Sequence, residues 1–255
     1  MRRLAHRREG RAVSSGKQRV DGQPAFLLQS HPYRETSLVV DVFSRDFGRI
    51  GLVARGAKRP RSQLRGVLVE FQPLDLGWFG AGELRTLARA EWQRAWPMLS
   101  GPRLLLGYYL NELLQRLLAR DDAHPALFDL YAEAVQKLAL APAETVRHEA
   151  LLRGFEKALL RELGYGLTLD HDANGDAIDP VAHYMYKPEL GLLEGEGGVD
   201  DVSLSGAQAL AIHADDYADA QVARLAKTLM RVLIAHYLQG QELRTRRVFI
   251  ELQDL

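Results

Sequence analysis

The sequence concentrates positive charge between residues 55 and 65. The segment places five cations within eleven residues, which are Arg55, Lys58, Arg59, Arg61 and Arg65. No Asp or Glu occurs between residues 47 and 69, so these cations have no carboxylate close to them in sequence. This density favours a polyanionic ligand, because neutralising phosphates releases the counterions condensed on them. A solvated loop without a ligand is the alternative.

The charge of the whole chain is unevenly distributed. Lys and Arg together number 33, and so do Asp and Glu, which makes the formal net charge zero. Residues 1–65 hold 15 of the cations but 5 of the anions, whereas residues 66–255 hold 18 and 28. A basic N-terminal part followed by an acidic remainder indicates that the basic part binds a polyanion. A chance distribution of surface charge is the alternative.

Two more cations and three aromatic residues accompany the basic segment. Arg34 and Arg49 belong to predicted strand ends that a closed barrel could bring to its side of the molecule. Tyr33, Phe43 and Phe47 could stack on bases of a nucleic acid. The alternative for each aromatic side chain is a place in the core.

A second basic set lies towards the C-terminus. Arg244, Arg246 and Arg247 are close together, and they could extend a path for DNA. The helix predicted before them carries Arg224, Lys227 and Arg231 at positions i, i+3 and i+7, on one face. That face could bind an acidic peptide of a partner protein, and a solvated face is the alternative.

No motif predicts a metal or cofactor site. The segment 170–176 (DHDANGD) resembles the opening of a calcium-binding loop, but Val181 stands where such a loop needs a bidentate Glu. A polar turn is the better interpretation. The chain contains no Cys, which excludes disulfides and thiolate ligands for zinc, and which suits a reducing cytoplasm.

Catalysis also finds no support in the motifs. The chain has no P-loop, GxSxG or HExxH segment. Asp215, Asp216 and Asp219 cluster, as the Mg²⁺ ligands of a nuclease would, but they stand where a helix begins and N-capping explains them better. We therefore predict a protein without catalytic residues, while a metal-dependent nuclease stays as an alternative.

The elements that position the basic segment are predicted to form a barrel. Residues 1–23 are basic and polar, which predicts a disordered basic arm. Residues 24–97 contain short runs that alternate between apolar and polar side chains, at 25–30, 37–44, 49–54, 71–78 and 84–92. Five short strands in so few residues, without a long helix, predict a small closed barrel.

The remainder, residues 98–255, shows the period of helices. Apolar residues recur at helical spacing between 104 and 118, and helices are predicted at 125–140, 145–163, 205–213 and 219–238. A polar, glycine-rich insertion around 166–202 interrupts them, with a possible strand or hairpin at 184–193. The apolar runs are too short to span a bilayer.

Several segments, taken in order, resemble the bacterial RecO family of recombination and repair proteins. Three lie in the barrel: QPAFLLQSHPYRETSL at 23–38, VFSRDFGR at 42–49 and VARGAK at 53–58. Three lie in the helical part: YLNELL at 109–114, FEKALLRELGY at 155–165 and LRTRRVF at 243–249. Each motif is weak alone, but the ordered set covers roughly residues 20–250.

The resemblance implies a fold and a function. The fold would be α+β, with an N-terminal five-stranded oligonucleotide-binding barrel followed by a mostly α-helical C-terminal domain. The protein would be a recombination mediator, not an enzyme, that binds single- and double-stranded DNA and anneals complementary strands. With RecR it would help load RecA onto strands covered by the single-strand binding protein, whose acidic tail it would contact, in the nucleoid of the cytoplasm.

The resemblance also implies DNA ligands on the matching motifs, at Arg34, Arg49, Arg55 and Lys58. Charge density adds Arg59, Arg61 and Arg65, and the C-terminal set adds Arg244, Arg246 and Arg247. Some family members hold zinc through four cysteines between the later helices. This chain departs from them, because the same region holds Asp170, Asp172, Asp176 and Asp179, so no metal site is carried over.

An RNA-binding barrel stays as a second alternative. It would use the same basic surface and the same aromatic side chains.

Overall fold

Five strands form the N-terminal part of the computed structural model, which describes residues 19–140, 147–195, 197–198 and 201–253. They are β1 (Arg19–Tyr33), β2 (Ser37–Ser44), β3 (Gly48–Ala54), β4 (Leu74–Phe79) and β5 (Leu84–Trp92). The strands close into a barrel in the order β1-β2-β3-β5-β4, which confirms the predicted barrel. Closure comes from the parallel pairing of β3 with β5.

The first strand begins earlier than the sequence predicts. Arg19 and Val20 pair with Phe79 and Trp78 of β4, so residues 19–23 belong to the barrel and not to the predicted arm. The sequence analysis does not include residues 19–23 in the strand because most of their side chains are polar. Polar side chains suit this position, since the start of the strand is largely exposed. The rest of the arm prediction, residues 1–18, lies outside the described residues.

The barrel wall is buried on both sides where the helices cover it. Val40 and Val42 of β2 pack inside the barrel with Ile50 and Leu52 of β3. Phe43, on the opposite face of β2, packs in a second core shared with the helices. Both faces of β2 are therefore apolar at its end, as expected of a strand covered by another layer.

Helices make up most of the second part of the chain. They are α2 (Pro102–Leu117), α3 (Pro125–Leu140), α4 (Arg147–Glu162), α5 (Gly206–His213), α6 (Ala220–Tyr237) and α7 (Arg244–Gln253). The sequence predicts all of them except α7, and it also misses the short α1 (Leu64–Val67) inside the basic loop. Within the described ranges, no helix combines the length and apolar character needed to cross a membrane.

The insertion between α4 and α5 contains a small sheet. Its strands are β6 (His183–Lys187), β7 (Gly191–Glu194) and β8 (Val202–Ser205), with β6 in the middle. The hairpin of β6 and β7 lies where the sequence predicts a possible hairpin. This sheet packs against α5 and α6 through its own apolar core.

An aromatic cluster and one buried amide join the barrel to the helices. Phe26 of β1 and Phe43 of β2 contact Phe128 and Tyr131 of α3, with ring centroids 5.1 to 6.1 Å apart. Asn111 of α2 donates to the carbonyl of Leu28 at 2.9 Å and accepts from the Tyr131 hydroxyl at 2.6 Å. Because satisfied buried polar groups specify one arrangement, this network sets how the barrel is seated on α2 and α3.

Candidate nucleic-acid interface

The basic loop begins directly at the end of β3 and is held by backbone hydrogen bonds. Gly56 adopts φ +69°, a left-handed conformation that glycine reaches without cost. The amide of Lys58 donates to the carbonyl of Thr36 at 2.9 Å, which ties the loop to the turn between β1 and β2. The loop is therefore held beside the turn that carries Arg34.

The loop and the turn enclose a groove on the barrel, which we call the barrel groove. It has a volume of about 530 Å³. Its lining comes from the β1–β2 turn, the end of β3, the basic loop and the start of β5, and consists of Tyr33, Arg34, Thr36, Ser37, Val53, Arg55, Gly56, Arg59, Leu84 and Thr86. Three of the predicted DNA ligands, Arg34, Arg55 and Arg59, thus share one concave surface.

The cations of the loop are available to a ligand. The side chains of Arg55, Lys58, Arg59, Arg61 and Arg65 belong to residues that are at least partly exposed. Among the described residues, no carboxylate oxygen lies within 4.0 Å of any of these cations, although most other described Arg residues of the barrel have such a partner. Exposed cations without a partner are hydrated, so an anionic ligand can replace their water at modest cost.

Arg34 combines a cation with the aromatic ring next to it. Its backbone has φ +51°, and its guanidinium carbon lies over the Tyr33 ring, 5.2 Å from the ring centroid. Arg34 is exposed, whereas Tyr33 is half-buried against the groove. The guanidinium therefore covers the ring from one side, and the ring and the guanidinium are both planar groups of the kind that stack on a base.

The structure places Arg49 away from this groove. Its guanidinium donates to the Asp41 carboxylate at 3.0 Å and to the carbonyls of Gln115 and Leu118 at the end of α2. Its side chain is 16% exposed. A guanidinium engaged on all sides holds the barrel on the helical part, so we leave Arg49 out of the DNA interface, against the expectation from the motif.

The structure also places the three aromatic side chains near the basic segment in different surroundings. Phe43 is fully buried in the core shared with the helices. Phe47 packs edge-on against Trp78, with ring centroids 5.2 Å apart, beside the barrel core. Only Tyr33 of the three lines the groove, so it is the one whose ring can meet a base.

Two cations of the loop line a different, smaller cavity. Lys58 and Arg65 surround about 300 Å³ together with Leu38, Leu64 and Leu68. Arg61 lines neither this cavity nor the barrel groove. The loop therefore presents its charges in more than one direction.

The C-terminal basic set lies on α7, which the buried Glu112 of α2 holds in place. The Glu112 carboxylate accepts from the amides of Arg244 and Thr245 at 2.8 and 2.9 Å, and from the Thr245 hydroxyl at 2.7 Å. A carboxylate at this position satisfies the free N–H groups at a helix start. Arg244, Arg246 and Arg247 belong to exposed residues, but none of them lines the barrel groove.

The three cations of α6 belong to exposed residues. Lys227 lies 3.3 Å from Glu149, and Arg224 and Arg231 are exposed beside it on the helix. Of the leucines next to them in sequence, Leu229 is completely buried in the core, whereas Leu225 is partly buried.

A separate apolar groove lies in the helical part, and we call it the helix groove. It measures about 1290 Å³, and its apolar lining includes Leu151, Phe155 and Ala158 of α4.

The Asp clusters have structural partners. Asp219 caps α6 by accepting from the amide of Gln221 at 2.6 Å, and Asp215 lies 2.7 Å from Lys157. Asp172 accepts from the amides of Asn174 and Asp176, which forms the predicted polar turn. Among the described residues, no group of three or more His, Asp or Glu is arranged to hold a metal ion.

Two family models match the chain over nearly its whole length. "Recombination protein O N terminal" matches residues 22–96, and "Recombination protein O C terminal" matches residues 98–247. The boundary between the two matches falls between the barrel and α2.

Curated relatives match over the same span. The DNA repair protein RecO of Dechloromonas aromatica is 53% identical over 242 residues, which are 94% of this chain and 99% of the relative. The protein of the same name from Aromatoleum aromaticum is 51% identical over 245 residues, or 94% and 100% of the two chains. That of Ralstonia nicotianae is 47% identical over 251 residues, or 97% and 90%.

Proposed function

Because the chain belongs to the RecO family of DNA repair proteins, we propose that it is a recombination mediator that binds single- and double-stranded DNA and anneals complementary strands. The observation that carries this proposal is the barrel groove with its adjoining loop, where six cations have no carboxylate partner among the described residues. They are Arg34, Arg55, Lys58, Arg59, Arg61 and Arg65.

Annealing follows from neutralising the phosphates. Two complementary strands repel each other through their backbones, and cations that contact the phosphates remove this repulsion. A positively charged groove follows the backbone without reading the sequence, so the bases stay free to pair. No bond is made or broken in such a process, so we propose that the protein acts without catalysis.

The helical part is proposed to carry the protein contacts. In this family's pathway the partners are RecR, RecA and the acidic tail of the single-strand binding protein, and the setting is the nucleoid in the cytoplasm. An acidic peptide with an apolar end fits an apolar groove rimmed by cations. The helix groove has this character, with Lys137 and Arg161 at its lining and Lys227 of α6 at an adjoining cavity. We propose it as the site of the tail, with Lys227 at the adjoining cavity and with Arg224 and Arg231 as further cations of the same helix.

The DNA site is tested by removing the loop cations together. We expect the variant with Arg55, Lys58, Arg59 and Arg61 all replaced by Ala to fold normally, because these side chains are not part of the core. The free energy of binding to single-stranded DNA should weaken by more than about 2 kcal/mol, which is on the order of thirtyfold in affinity. Fluorescence anisotropy with a short single strand at fixed salt measures the affinity, and a strand-annealing assay measures the activity.

A matched control removes four cations of the helical part, namely Lys137, Arg161, Arg224 and Arg231, each replaced by Ala. It should keep DNA affinity within about threefold, because none of these cations lines the barrel groove or belongs to the basic loop, while binding to the acidic tail peptide falls. A folded loop variant that binds and anneals like wild type would refute the site and redirect attention to Arg244, Arg246 and Arg247. Competition by RNA of the same sequence separates a DNA protein from an RNA-binding barrel.

A further inference from the structure

We propose that the barrel groove takes one unpaired base of a single strand, stacked on the pair of Tyr33 and Arg34, while duplex DNA is held only by loop cations outside the groove. This inference rests on the proposed function and adds to it a subsite for single strands. It assigns an aromatic residue to the ligand, and it gives the cations of one loop two different roles.

The dimensions of the groove suit a nucleotide. Its volume of about 530 Å³ falls in the range of small-molecule sites, which is about 300 to 1,000 Å³. One wall is aromatic, at Tyr33, and another is aliphatic, at Val53 and Leu84. Leu84 is 47% exposed, so this wall offers apolar surface that a base can cover. Contact with such apolar side chains removes water from a base.

The polar groups at the groove match the rest of a nucleotide. Arg55 and Arg59 line the groove and have no carboxylate partner among the described residues, so each can take a phosphate. The hydroxyls of Thr36, Ser37 and Thr86 lie in the same lining and can donate or accept hydrogen bonds. A groove whose lining combines an aromatic ring, aliphatic side chains, hydroxyls and cations offers a partner to each part of a nucleotide, namely the base, the sugar and the phosphates.

A duplex cannot use this slot. In a double helix each base is stacked between its neighbours and paired, so its faces are not accessible without extruding the nucleotide. Single strands splay their bases out, and aromatic or guanidinium planes then stack on them. The groove therefore discriminates by strandedness rather than by sequence.

The other cations of the loop are insensitive to strandedness. Lys58 and Arg65 line the smaller cavity, away from Tyr33, and Arg61 lines neither cavity. None of the three is buried. Phosphates are present on single strands and duplexes alike, so these cations contribute to both.

The ring is tested with two substitutions of one residue. Tyr33→Leu keeps apolar volume but removes the ring, and Tyr33→Phe keeps the ring. Stacking of a base on an aromatic side chain is worth about 1 to 3 kcal/mol, so Tyr33→Leu should weaken binding of a 20-residue dT strand by about 5- to 150-fold. Its affinity for a blunt duplex should stay within twofold. Tyr33→Phe should bind both like wild type.

Paired substitutions within the loop test the division of the cations. Arg55→Ala with Arg59→Ala should reduce single-strand affinity at least threefold more than duplex affinity. Lys58→Ala with Arg65→Ala, which removes the same number of charges from the same loop, should reduce both affinities by the same factor. Equal losses in all four measurements would overturn the division.

The outcomes separate this inference from the proposed function. If wild-type protein binds neither DNA at low salt, the proposed function fails and the subsite with it. If wild type binds DNA but folded Tyr33→Leu binds dT with unchanged affinity, or loses single-strand and duplex affinity equally, only the subsite is overturned. If Tyr33→Leu does not fold, photo-crosslinking of wild type to a strand containing 5-iodouracil decides. A crosslink at Tyr33 supports the subsite, and crosslinks solely at other residues overturn it.

Discussion

At the scale of residues, Glu156 of α4 has a carboxyl group without any solvent exposure. It accepts from the Tyr109 hydroxyl at 2.6 Å and from Arg153 at 2.7 Å, while its second carboxylate oxygen has no hydrogen-bond partner among the described residues. Burial raises the pKa of Glu156 to about 7, although Arg153, Tyr109 and Lys227 favour the charged form. Burial wins because desolvation of a charge in the interior costs more than these contacts return.

This raised pKa makes stability depend on pH. In the folded protein Glu156 holds its proton up to pH of about 7, whereas in the unfolded chain it releases the proton near the ordinary glutamate pKa of 4.5. The folded state therefore binds more protons in this window, so the contribution of Glu156 to stability falls as pH rises from about 4.5 to about 7. We expect Glu156→Gln to remove this decline and to unfold at a higher urea concentration than wild type at pH 8.

Urea unfolding at pH 5, 6, 7 and 8 measures the effect, with Glu133→Gln as control. Glu133 is an exposed carboxylate of α3 that pairs with Lys137 on the surface, so its replacement should leave the pH profile parallel to that of wild type. A Glu156→Gln profile parallel to wild type would show that Glu156 is already ionised or already neutral throughout the window.

At the scale of elements, the segment after α2 forms a further contact between the helical part and the barrel. The amide of Asp121 donates to the carbonyl of Arg49 at 3.0 Å, and Arg120 pairs with Arg49 as an isolated parallel bridge. Arg85 of β5 reaches Asp121 at 2.6 Å. The segment thus lies along β3. It leaves no room for a side chain at Gly48, the first residue of β3.

We expect Gly48→Ala to be strongly destabilising. Gly48 has φ +66°, and a Cβ atom there would lie 1.8 Å from the carbonyl oxygen of Asp122. The substitution combines a left-handed backbone with a collision against main-chain atoms that cannot yield as a side chain could. The free energy of unfolding should fall by about 2 to 4 kcal/mol, of which about 1 kcal/mol comes from the backbone conformation.

Gly82→Ala is the matched control for the collision. Gly82 also has a positive φ, +85°, but no atom lies within 4 Å of its added Cβ. Its loss should be limited to the backbone contribution of about 1 kcal/mol. Thermal or urea unfolding compares the two, and equal losses would show that the contact with Asp122 has no energetic consequence.

At the scale of the whole molecule, we expect the asymmetry of charge to govern the proposed binding to DNA. The basic loop and Arg34 stand in the part of the chain with 15 cations and 5 anions, while the helical part belongs to the acidic remainder. Binding driven by phosphate contacts releases counterions, so log affinity falls linearly with log salt concentration. We expect the acidic helical part to keep a bound polynucleotide on the barrel side, because like charges repel it.

For single strands, we expect a plot of log affinity against log salt concentration to have a slope no steeper than about −4. Six described cations can contact phosphates in the interface, and each contacted phosphate releases about 0.7 ion. The variant with Arg55, Lys58, Arg59 and Arg61 replaced by Ala should have a slope smaller in magnitude by up to about 3. Anisotropy titrations between 50 and 200 mM KCl measure both slopes. A flat dependence on salt for wild type would contradict a phosphate-driven interface.

Local pattern was sufficient for most of the elements. The predicted strands at 37–44 and 84–92 and the predicted helix at 125–140 have the bounds of β2, β5 and α3. Strict alternation and helical spacing are properties of neighbouring residues, so they can be read without the fold. The sequence analysis does not predict α7, whose first turn carries Arg244, Arg246 and Arg247 and whose start is fixed by Glu112, more than 130 residues earlier in the chain.

The sequence by itself determined that the chain has a basic front, a barrel and a helical part, and that a dense loop of cations follows β3. Composition and period carry this information, because charge and hydrophobic spacing do not depend on long-range contacts. It could not determine which cations are available to a ligand. Arg49 and Arg55 are both arginines at a strand end, yet Arg49 is paired with Asp41 and the end of α2, whereas Arg55 lines an open groove. Only the closure of the barrel and its contact with α2 decided this, because the partners that neutralise or bury a side chain come from distant parts of the chain.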